Sequence, residues 1–237
     1  MAYNIIECSN EVDFGAKARL AFCKAIRGLN GLPNVILPTG NTPAPFFQAL
    51  KDSKVPITPF QYLQLDEYLG LPEDDEILFK NWLDRDVLSP LGITHRMAFN
   101  SAADPASEIQ RIRDWYNHFR RVDVAVLGIG KNGHVGFNEP GSAFNSRARV
   151  AEMSDETWEA NNKYWDREVP KKIITLGITE LKLASTTLLL ARGEEKADIL
   201  YEAFYGEMTT EIPASYLQLQ RNVVIIADKN ALGRFPK

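Results

Sequence analysis

The residues with the clearest chemical potential lie in one short stretch, 122–140, which combines glycines, a histidine and a carboxylate. It begins with an apolar, β-branched run typical of a buried strand and continues as Gly-Ile-Gly-Lys-Asn-Gly-His-Val-Gly-Phe-Asn-Glu-Pro. Glycines allow the backbone to turn sharply and to approach a ligand closely. His134 can exchange a proton near neutral pH, and a carboxylate such as Glu139 can orient it. The stretch predicts an acid–base site at the end of a strand, and a tight turn with a hydrogen-bonded histidine is the structural alternative.

A second carboxylate follows another predicted strand. Residues 62–65 have the pattern of a buried strand, and Asp66 and Glu67 stand directly after them. Because the carboxyl ends of parallel strands meet at one edge of a sheet, Asp66 and His134 would face the same cleft. Adjacent acids at this position are also typical of a solvated helix cap, which is the structural alternative. In one cleft, the two side chains would be suited to proton transfer.

Two further segments have the features of an anion site. The turn Thr-Gly-Asn-Thr at 39–42 follows a predicted strand at 34–37 and precedes an amphipathic helix. Its hydroxyls and the free N–H groups of the helix N-terminus suit a phosphate. It is not a Walker loop, because no Gly-Lys-Ser/Thr follows, and alone it is equally typical of a plain strand-to-helix turn. Lys196 lies in the first turn of a later predicted helix, where a cation is unfavourable unless an anion is nearby.

Predicted strands and helices alternate along the chain. This order predicts one doubly wound α/β domain over residues 1–237, with a mainly parallel sheet and helices on both faces. Asn10 is predicted to cap a first helix that ends near Arg27, and further helices are predicted over 76–87 and 105–119. The first helix has these apolar positions at helical spacing: Val12, Ala16, Leu20, Cys23 and Ile26.

The composition excludes several classes of protein. A formal charge of −4 and a pI near 5.5 argue against nucleic-acid binding and against a membrane-surface protein, since both normally need a basic face. The N-terminus lacks the pattern of a secretory signal, and no apolar run approaches the length of a membrane span. The two cysteines, Cys8 and Cys23, lack metal-type spacing and are expected to be reduced. The sequence therefore predicts a soluble, cytoplasmic protein.

The central stretch also resembles the signature of the glucosamine-6-phosphate deaminases and the galactosamine-6-phosphate isomerases. The more distant 6-phosphogluconolactonases share its Gly-x-Gly-x-[Asn/Asp]-Gly-His part but not the following Asn-Glu-Pro. Three more segments agree with this family: Thr-Gly-Asn-Thr-Pro at 39–43, Leu-Asp-Glu-Tyr-Leu-Gly-Leu-Pro at 65–72 and Gly-Glu-Glu-Lys at 193–196. The resemblance therefore extends over nearly the full length of the chain.

The resemblance implies a role for each matched residue. Asp66 would be the general base, and His134 would open the sugar ring with Glu139 holding its tautomer. Asn132 would occupy the third position of this relay, where it can orient its neighbours but cannot share a proton. Residues 141–165 would form a helical lid with a helix that begins at Ser154. The substrate phosphate would be bound by the following residues: Thr39, Gly40, Asn41, Thr42, Lys163 and Lys196.

The implied reaction converts glucosamine 6-phosphate to fructose 6-phosphate and ammonia, with no metal or organic cofactor. Galactosamine-6-phosphate isomerisation and deamination remains an alternative, because Glu76-Ile77 replaces the Ser-Tyr pair of many relatives. A 6-phosphogluconolactonase and a non-catalytic sugar-phosphate sensor are less favoured, given the Asn-Glu-Pro sequence and the retained acid–base groups. The expected partner is a small sugar phosphate. The chain ends soon after its last predicted strand, which favours a monomer or a small homo-oligomer.

Overall fold

The computed structural model describes residues 3–236, which form an α/β domain with two sheets. In chain order the strands are β1 (Asn4–Cys8), β2 (Asn34–Leu37), β3 (Gln61–Gln64), β4 (Asp66–Tyr68), β5 (Arg96–Met97), β6 (Val122–Gly128), β7 (Arg149–Glu152), β8 (Lys172–Thr175), β9 (Ala184–Ala191) and β10 (Val223–Asp228). The helices are α1 (Glu11–Ile26), α2 (Ala44–Lys51), α3 (Phe79–Leu83), α4 (Pro105–Phe119), α5 (Asp155–Trp165), α6 (Ile178–Leu181) and α7 (Ala197–Tyr205).

The main sheet is parallel throughout and has the order β1-β10-β9-β6-β2-β3-β5. Its strands carry apolar side chains on both faces, as expected when helices cover both sides. Ile36 and Leu127 face a core with α4 and α7, whereas Val35 and Val126 face a core with α1 and α2. The predicted doubly wound α/β fold is confirmed.

The strand order reverses between β2 and β6. From β2 the chain continues outward through β3 to β5, and it then returns to the other side of β2 with β6, followed by β9 and β10. Loops that leave two adjacent strands in opposite directions leave a crevice between them, and open α/β sheets bind ligands in this crevice. The loop after β2 contains residues 39–42, and the loop after β6 contains the glycine-rich motif.

A second, antiparallel sheet lies beyond the carboxyl edge of the main sheet. It has the order β4-β8-β7, with Asp66 opposite Thr175 and Arg149 also paired to Thr175 from the other side. Tyr68, Phe79 and Phe137 belong to a small separate core beneath α5. The predicted lid, 141–165, is therefore not purely helical, because it contains β7 as well as α5 and is joined to β4 through β8.

Helix α1 begins where the sequence predicted, with the Asn10 side chain accepting a hydrogen bond from the Asp13 N–H at 2.9 Å. The predicted apolar face is wrong except at Ile26, which is buried, because Val12 and Leu20 are 83% and 58% exposed. The buried residues of α1 are Phe14, Gly15, Ala18, Phe22 and Ile26. A Cβ at Gly15 would lie 2.3 Å from the Pro45 carbonyl oxygen, so this face approaches α2 more closely than a side chain allows.

The helix predicted over 76–87 is shorter and less regular than expected. Helix α3 begins at Phe79, and a π-helical turn, Asp84–Leu88, continues it. The Glu67 carboxylate accepts the N–H groups of Phe79 and Lys80, which fixes the start of the helix at these residues. None of the helices in residues 3–236 is long and apolar enough to cross a lipid bilayer.

Candidate active site

One cleft of about 290 Å³ lies at the carboxyl edge of the main sheet, where the loops after β2, β3, β6 and β9 meet. Helix α5 contributes its Thr157, Ala160 and Asn161 to the opposite wall. Most of the residues singled out from the sequence line this cleft: Thr39, Gly40, Asn41, Thr42, Asp66, Asn132, His134 and Lys196. Glu139 lies just behind His134.

The end of the cleft formed by the loop after β2 has the features of a phosphate site. Thr39 and Thr42 supply hydroxyls, Gly40 adopts φ +96°, and α2 begins two residues after Thr42. At the start of α2 the Ala44 N–H donates to the Asn41 carbonyl oxygen at 3.3 Å and Pro45 has no N–H, so the threonine hydroxyls are the donors that this loop offers to the cleft. Lys196 reaches the same cleft from a short 3-10 turn, Glu194–Lys196, after β9.

His134, Asn132 and Glu139 form a hydrogen-bonded relay whose order differs from the prediction. The His134 Nδ1 atom lies 2.8 Å from Asn132 Oδ1, and Asn132 Nδ2 donates to Glu139 Oε2 at 2.8 Å. The direct distance from His134 Nδ1 to Glu139 Oε2 is 3.7 Å. Asn132 therefore stands between the other two, and Glu139 acts on the imidazole through this amide without a direct hydrogen bond.

The environment of His134 favours the neutral imidazole. Burial lowers the pKa of His134, while the carboxylate of Glu139 opposes this shift. The ring also packs against the backbone of the glycine-rich loop, since a Cβ at Gly130 would lie 2.2 Å from His134 Cε1. Only glycine fits at this position, and it holds the imidazole at the mouth of the loop.

Asp66 is the first residue of β4, directly beyond the end of β3. Its side chain is 6% exposed, and among residues 3–236 neither carboxylate oxygen receives a hydrogen bond. Gly136, with φ +55°, leaves room beside it, because a Cβ there would lie 3.3 Å from Asp66 Oδ2. Burial, reinforced by the charge of Glu67, raises the pKa of Asp66 well above its usual value. A carboxylate with raised proton affinity in a cleft can act as a general base.

Lys163 is the exception among the residues predicted to bind phosphate. It is exposed on α5 and does not line the cleft. Thr157 and Asn161 lie on the face of α5 that does line the cleft, and Lys163 projects from a different face. The expectation that Lys163 contacts the phosphate is therefore contradicted by its position.

A second cation that sequence reasoning did not single out is Lys131. It lines the cleft together with Lys196. Burial lowers the pKa of Lys196, Glu195 opposes the shift, and the nearby charge of Lys131 lowers the pKa further. Two ammonium groups close together are unfavourable without an anion between them. Lys131 belongs to the glycine-rich loop after β6, but no local sequence pattern indicated that its side chain lines the cleft.

Other cleft residues were also missed, because only the tertiary fold brings them to the site. Phe79 and Phe137 are stacked with ring centroids 6.0 Å apart and line one wall. Thr157 Oγ1 lies 3.5 Å from His134 Nδ1, so α5 touches the relay. Within residues 3–236 there is no group of three or more His, Cys, Asp and Glu side chains suited to hold a metal ion.

The parallel sheet, the glycine-rich loop and the acid–base groups at its carboxyl edge define an α/β enzyme. A family model described as glucosamine-6-phosphate isomerases/6-phosphogluconolactonase matches residues 15–226. The chain belongs to this family, and the resemblance found in the sequence is confirmed.

Curated relatives and solved structures agree with this placement. The glucosamine-6-phosphate deaminase of Oenococcus oeni is 32% identical over 231 residues, which is 97% of each chain. That of Halalkalibacterium halodurans is 37% identical over 207 residues, or 84% of each chain. The structure of a monomeric glucosamine-6-phosphate deaminase has a TM-score of 0.91 at 28% identity and covers 97% of this chain and 99% of that one. The 6-phosphogluconolactonase of Trypanosoma brucei, at 16% identity and a TM-score of 0.78, shares the fold and covers 99% of each chain.

Proposed function

We propose that this enzyme converts glucosamine 6-phosphate to fructose 6-phosphate and ammonia. The observation that carries the proposal is the arrangement of one cleft, in which a buried carboxylate, Asp66, and a neutral histidine, His134, lie beside a phosphate-type loop. The full-length similarity to curated deaminases supports it. A lactonase needs no base at C2, whereas the deamination does.

His134 performs the ring opening in this proposal. Its Nδ1–H donates to Asn132 Oδ1, so Nε2 keeps a lone pair for the proton of the anomeric hydroxyl. The imidazolium then returns a proton to the ring oxygen as the bond between C1 and that oxygen breaks. Glu139 acts through Asn132, because it accepts the Nδ2–H and fixes which amide atom faces the imidazole.

Asp66 then moves a proton between carbons of the open chain. Its carboxylate removes the proton from C2 of the amino aldehyde while O1 takes up a proton that the ammonium group releases, giving an enolamine. The proton held by Asp66 is then returned to C1. The product is the C2 imine of fructose 6-phosphate, which water hydrolyses to the ketone and ammonia. The raised pKa of Asp66 suits both transfers, since a very weak base would not take the proton and a very strong one would not release it.

In this arrangement, the 6-phosphate is bound by the loop 39–42 and by two lysines, Lys196 and Lys131. The threonine hydroxyls provide directed donors, and the two ammonium groups provide charge. Lys131 takes the role that the resemblance had given to Lys163.

Ammonia release from glucosamine 6-phosphate and galactosamine 6-phosphate, measured side by side, tests the proposed function. We expect release from the glucosamine compound, with exchange of its C2 proton into solvent. Preferred release from the galactosamine compound would assign the alternative substrate. Hydrolysis of 6-phosphogluconolactone without any release of ammonia would replace the proposal by a lactonase, and binding without turnover would replace it by a sensor.

We further propose that the enzyme acts as a monomer. The support is its similarity to a structure described as a monomeric glucosamine-6-phosphate deaminase, which it matches over nearly the full length. Light scattering across a range of protein concentrations tests this. A mass that corresponds to one chain throughout agrees with the proposal, and a stable multiple of that mass contradicts it.

A further inference from the structure

Asp66 and Glu67 are adjacent buried carboxylates with opposite surroundings. Asp66 faces the cleft and receives no hydrogen bond on its carboxylate from residues 3–236, whereas Glu67 is fully buried behind it. Glu67 does not line the cleft, so it does not reach the substrate. Neighbouring titratable groups whose environments differ in this way often have different roles in one acid–base site, because their pKa values are shifted apart.

The hydrogen bonds of Glu67 are those of an ionised carboxylate. Oε1 accepts the N–H groups of Tyr68 and Phe79, each at 2.9 Å. Oε2 accepts the Gln64 amide at 2.8 Å and the Lys80 N–H at 2.9 Å. All four partners are donors, so a proton on either oxygen would point at another hydrogen. Although burial raises the pKa of Glu67 to about 6, these donors oppose the shift, and the group is ionised above that pH.

We propose that Glu67 is a positioning residue, whose buried carboxylate places a negative charge next to Asp66 on β4 and anchors the start of α3 beside the cleft. This role rests on the proposed function only in that Asp66 is taken as the base. A like charge on the neighbouring residue disfavours ionisation of Asp66, in addition to the effect of burial. The same contacts hold Phe79, a wall of the cleft.

Other titratable groups near this pair do not supply an alternative charge. Tyr62 on β3 and Tyr68 on β4 have pKa values raised by burial and remain neutral. The ammonium of Lys80 on α3 is paired with Glu73 at 3.2 Å. Across the cleft, His134 has a lowered pKa, with burial as the main cause. Glu67 is therefore the charge that acts on Asp66 most directly.

The pH dependence of kcat/KM for glucosamine 6-phosphate tests the proposal. In Glu67→Gln, the acid limb should move to lower pH by about one unit, as expected when a like charge beside a carboxyl is removed. In Glu67→Asp, which keeps the charge, the limb should stay where it is in the wild type even if the variant is less stable. A merely structural role would lower the rate or the stability without moving the limb.

Glu180→Gln is the matched control. Glu180 is also fully buried and accepts the Gly177 N–H at 3.0 Å, but it pairs with Arg147 and does not line the cleft. Its loss should reduce stability and leave the acid limb unchanged. An unmoved limb in folded Glu67→Gln, or an equal movement in Glu67→Asp or Glu180→Gln, would overturn the proposal. If Glu67→Gln does not fold, the pH profile of Glu67→Asp is the test. A shift of its acid limb by a full pH unit overturns the proposal.

A second measurement needs no activity and so separates this proposal from the proposed function. The unfolded chain releases the Asp66 proton near pH 3.9, whereas the folded chain retains it to higher pH. The folded state binds more protons in this window, so its stability falls as the pH rises through it. Urea unfolding should therefore show Asp66→Asn stabilised at neutral pH relative to the wild type, with little difference at pH 3.5. The gain should be smaller in the Glu67→Gln background, and an equal gain in both backgrounds would overturn the role of Glu67 even in an inactive protein.

Discussion

Asn132 determines which nitrogen of His134 carries the proton. An amide offers an oxygen on one side and two N–H groups on the other, so its orientation depends on its second partner. Glu139 accepts from Asn132 Nδ2, and the His134 backbone N–H donates to Asn132 Oδ1 at 3.2 Å, so the amide oxygen faces the imidazole and His134 Nδ1 donates to it. The carboxylate and the backbone N–H thus set the histidine tautomer together, through the Asn132 amide that lies between the carboxylate and the ring.

This order predicts graded effects of substitution on the ring-opening step. On the cyclic substrate, His134→Gln should be the slowest, by about 10²–10⁴-fold, because it removes the general base. Asn132→Leu should follow, and Glu139→Gln should be the mildest, because it leaves the contact between His134 and Asn132 in place. An analogue without the C5 hydroxyl cannot form the pyranose ring, and with it all three should regain much of their rate. Equal losses on both substrates would place His134 in the C2 chemistry or in binding.

The positions of the two lysines in the cleft predict how KM for the sugar phosphate changes when each lysine is replaced. Lys196→Ala should raise KM for the sugar phosphate by an amount equivalent to about 1.5–3 kcal/mol, as for a hydrogen bond to a charged group. Lys131→Ala should have a smaller effect in the same direction, because Lys131 is more exposed. Lys163→Ala is the control, since it removes the same charge outside the cleft, and its KM should be unchanged. A rise in KM for Lys163→Ala as large as that for Lys196→Ala would return Lys163 to the phosphate site.

At the scale of elements, one tyrosine connects the sheet that carries Asp66 to helix α5. The Tyr68 hydroxyl on β4 donates to Asn161 Oδ1 at 2.6 Å and accepts from Trp165 Nε1 at 2.9 Å, both on α5. Asn161 also lines the cleft. Because Tyr68 lies two residues after Asp66, the position of α5 is tied to the strand that holds the proposed base.

Tyr68→Phe should loosen α5 without disturbing the main sheet. It removes the hydrogen bonds of two half-buried partners, at a cost of about 0.5–1.5 kcal/mol each, and hydrogen exchange of the α5 amides should become faster. Tyr216→Phe is the matched control, because the Tyr216 hydroxyl is buried with no hydrogen-bond partner among residues 3–236. Its removal should be neutral or stabilising. Wild-type exchange in α5 of Tyr68→Phe would show that packing alone holds the helix.

The elements that the sequence predicted well are those with a strong local signal. Strands β2 and β6 are apolar runs that end in glycine or threonine turns, and both begin where expected. Strands β4, β7 and β8 are short, and partners distant in the sequence define them, so no local pattern could reveal their sheet. The buried face of α1 was predicted wrongly because the helix has two rows of apolar residues. The row that contains Phe14 and Phe22 is the one that packs on the core, since its aromatic side chains bury more apolar surface.

At the scale of the whole molecule, the sequence could predict that the site residues meet, because they all follow parallel strands. Strands β9, β6, β2 and β3 are neighbours in the sheet, and each delivers its loop to the same edge. The sequence could not predict which atoms touch. The position of Asn132 between His134 and Glu139 depends on the rotation of single side chains, and the face of α5 that covers the cleft depends on how the helix packs on the sheet.

Because the cleft is built from loops of the main sheet together with α5, a ligand that fills it should stabilise the whole fold. Asp66→Asn is the variant to use, since it should bind glucosamine 6-phosphate without consuming it. At a ligand concentration 100 times Kd, the free energy of unfolding should rise by about 2.7 kcal/mol, measured by urea titration. Unphosphorylated glucosamine at the same concentration should give little change, and Lys196→Ala in the same background should require more sugar phosphate for the same gain. No gain with the sugar phosphate, or an equal gain with both sugars, would contradict a phosphate site in this cleft.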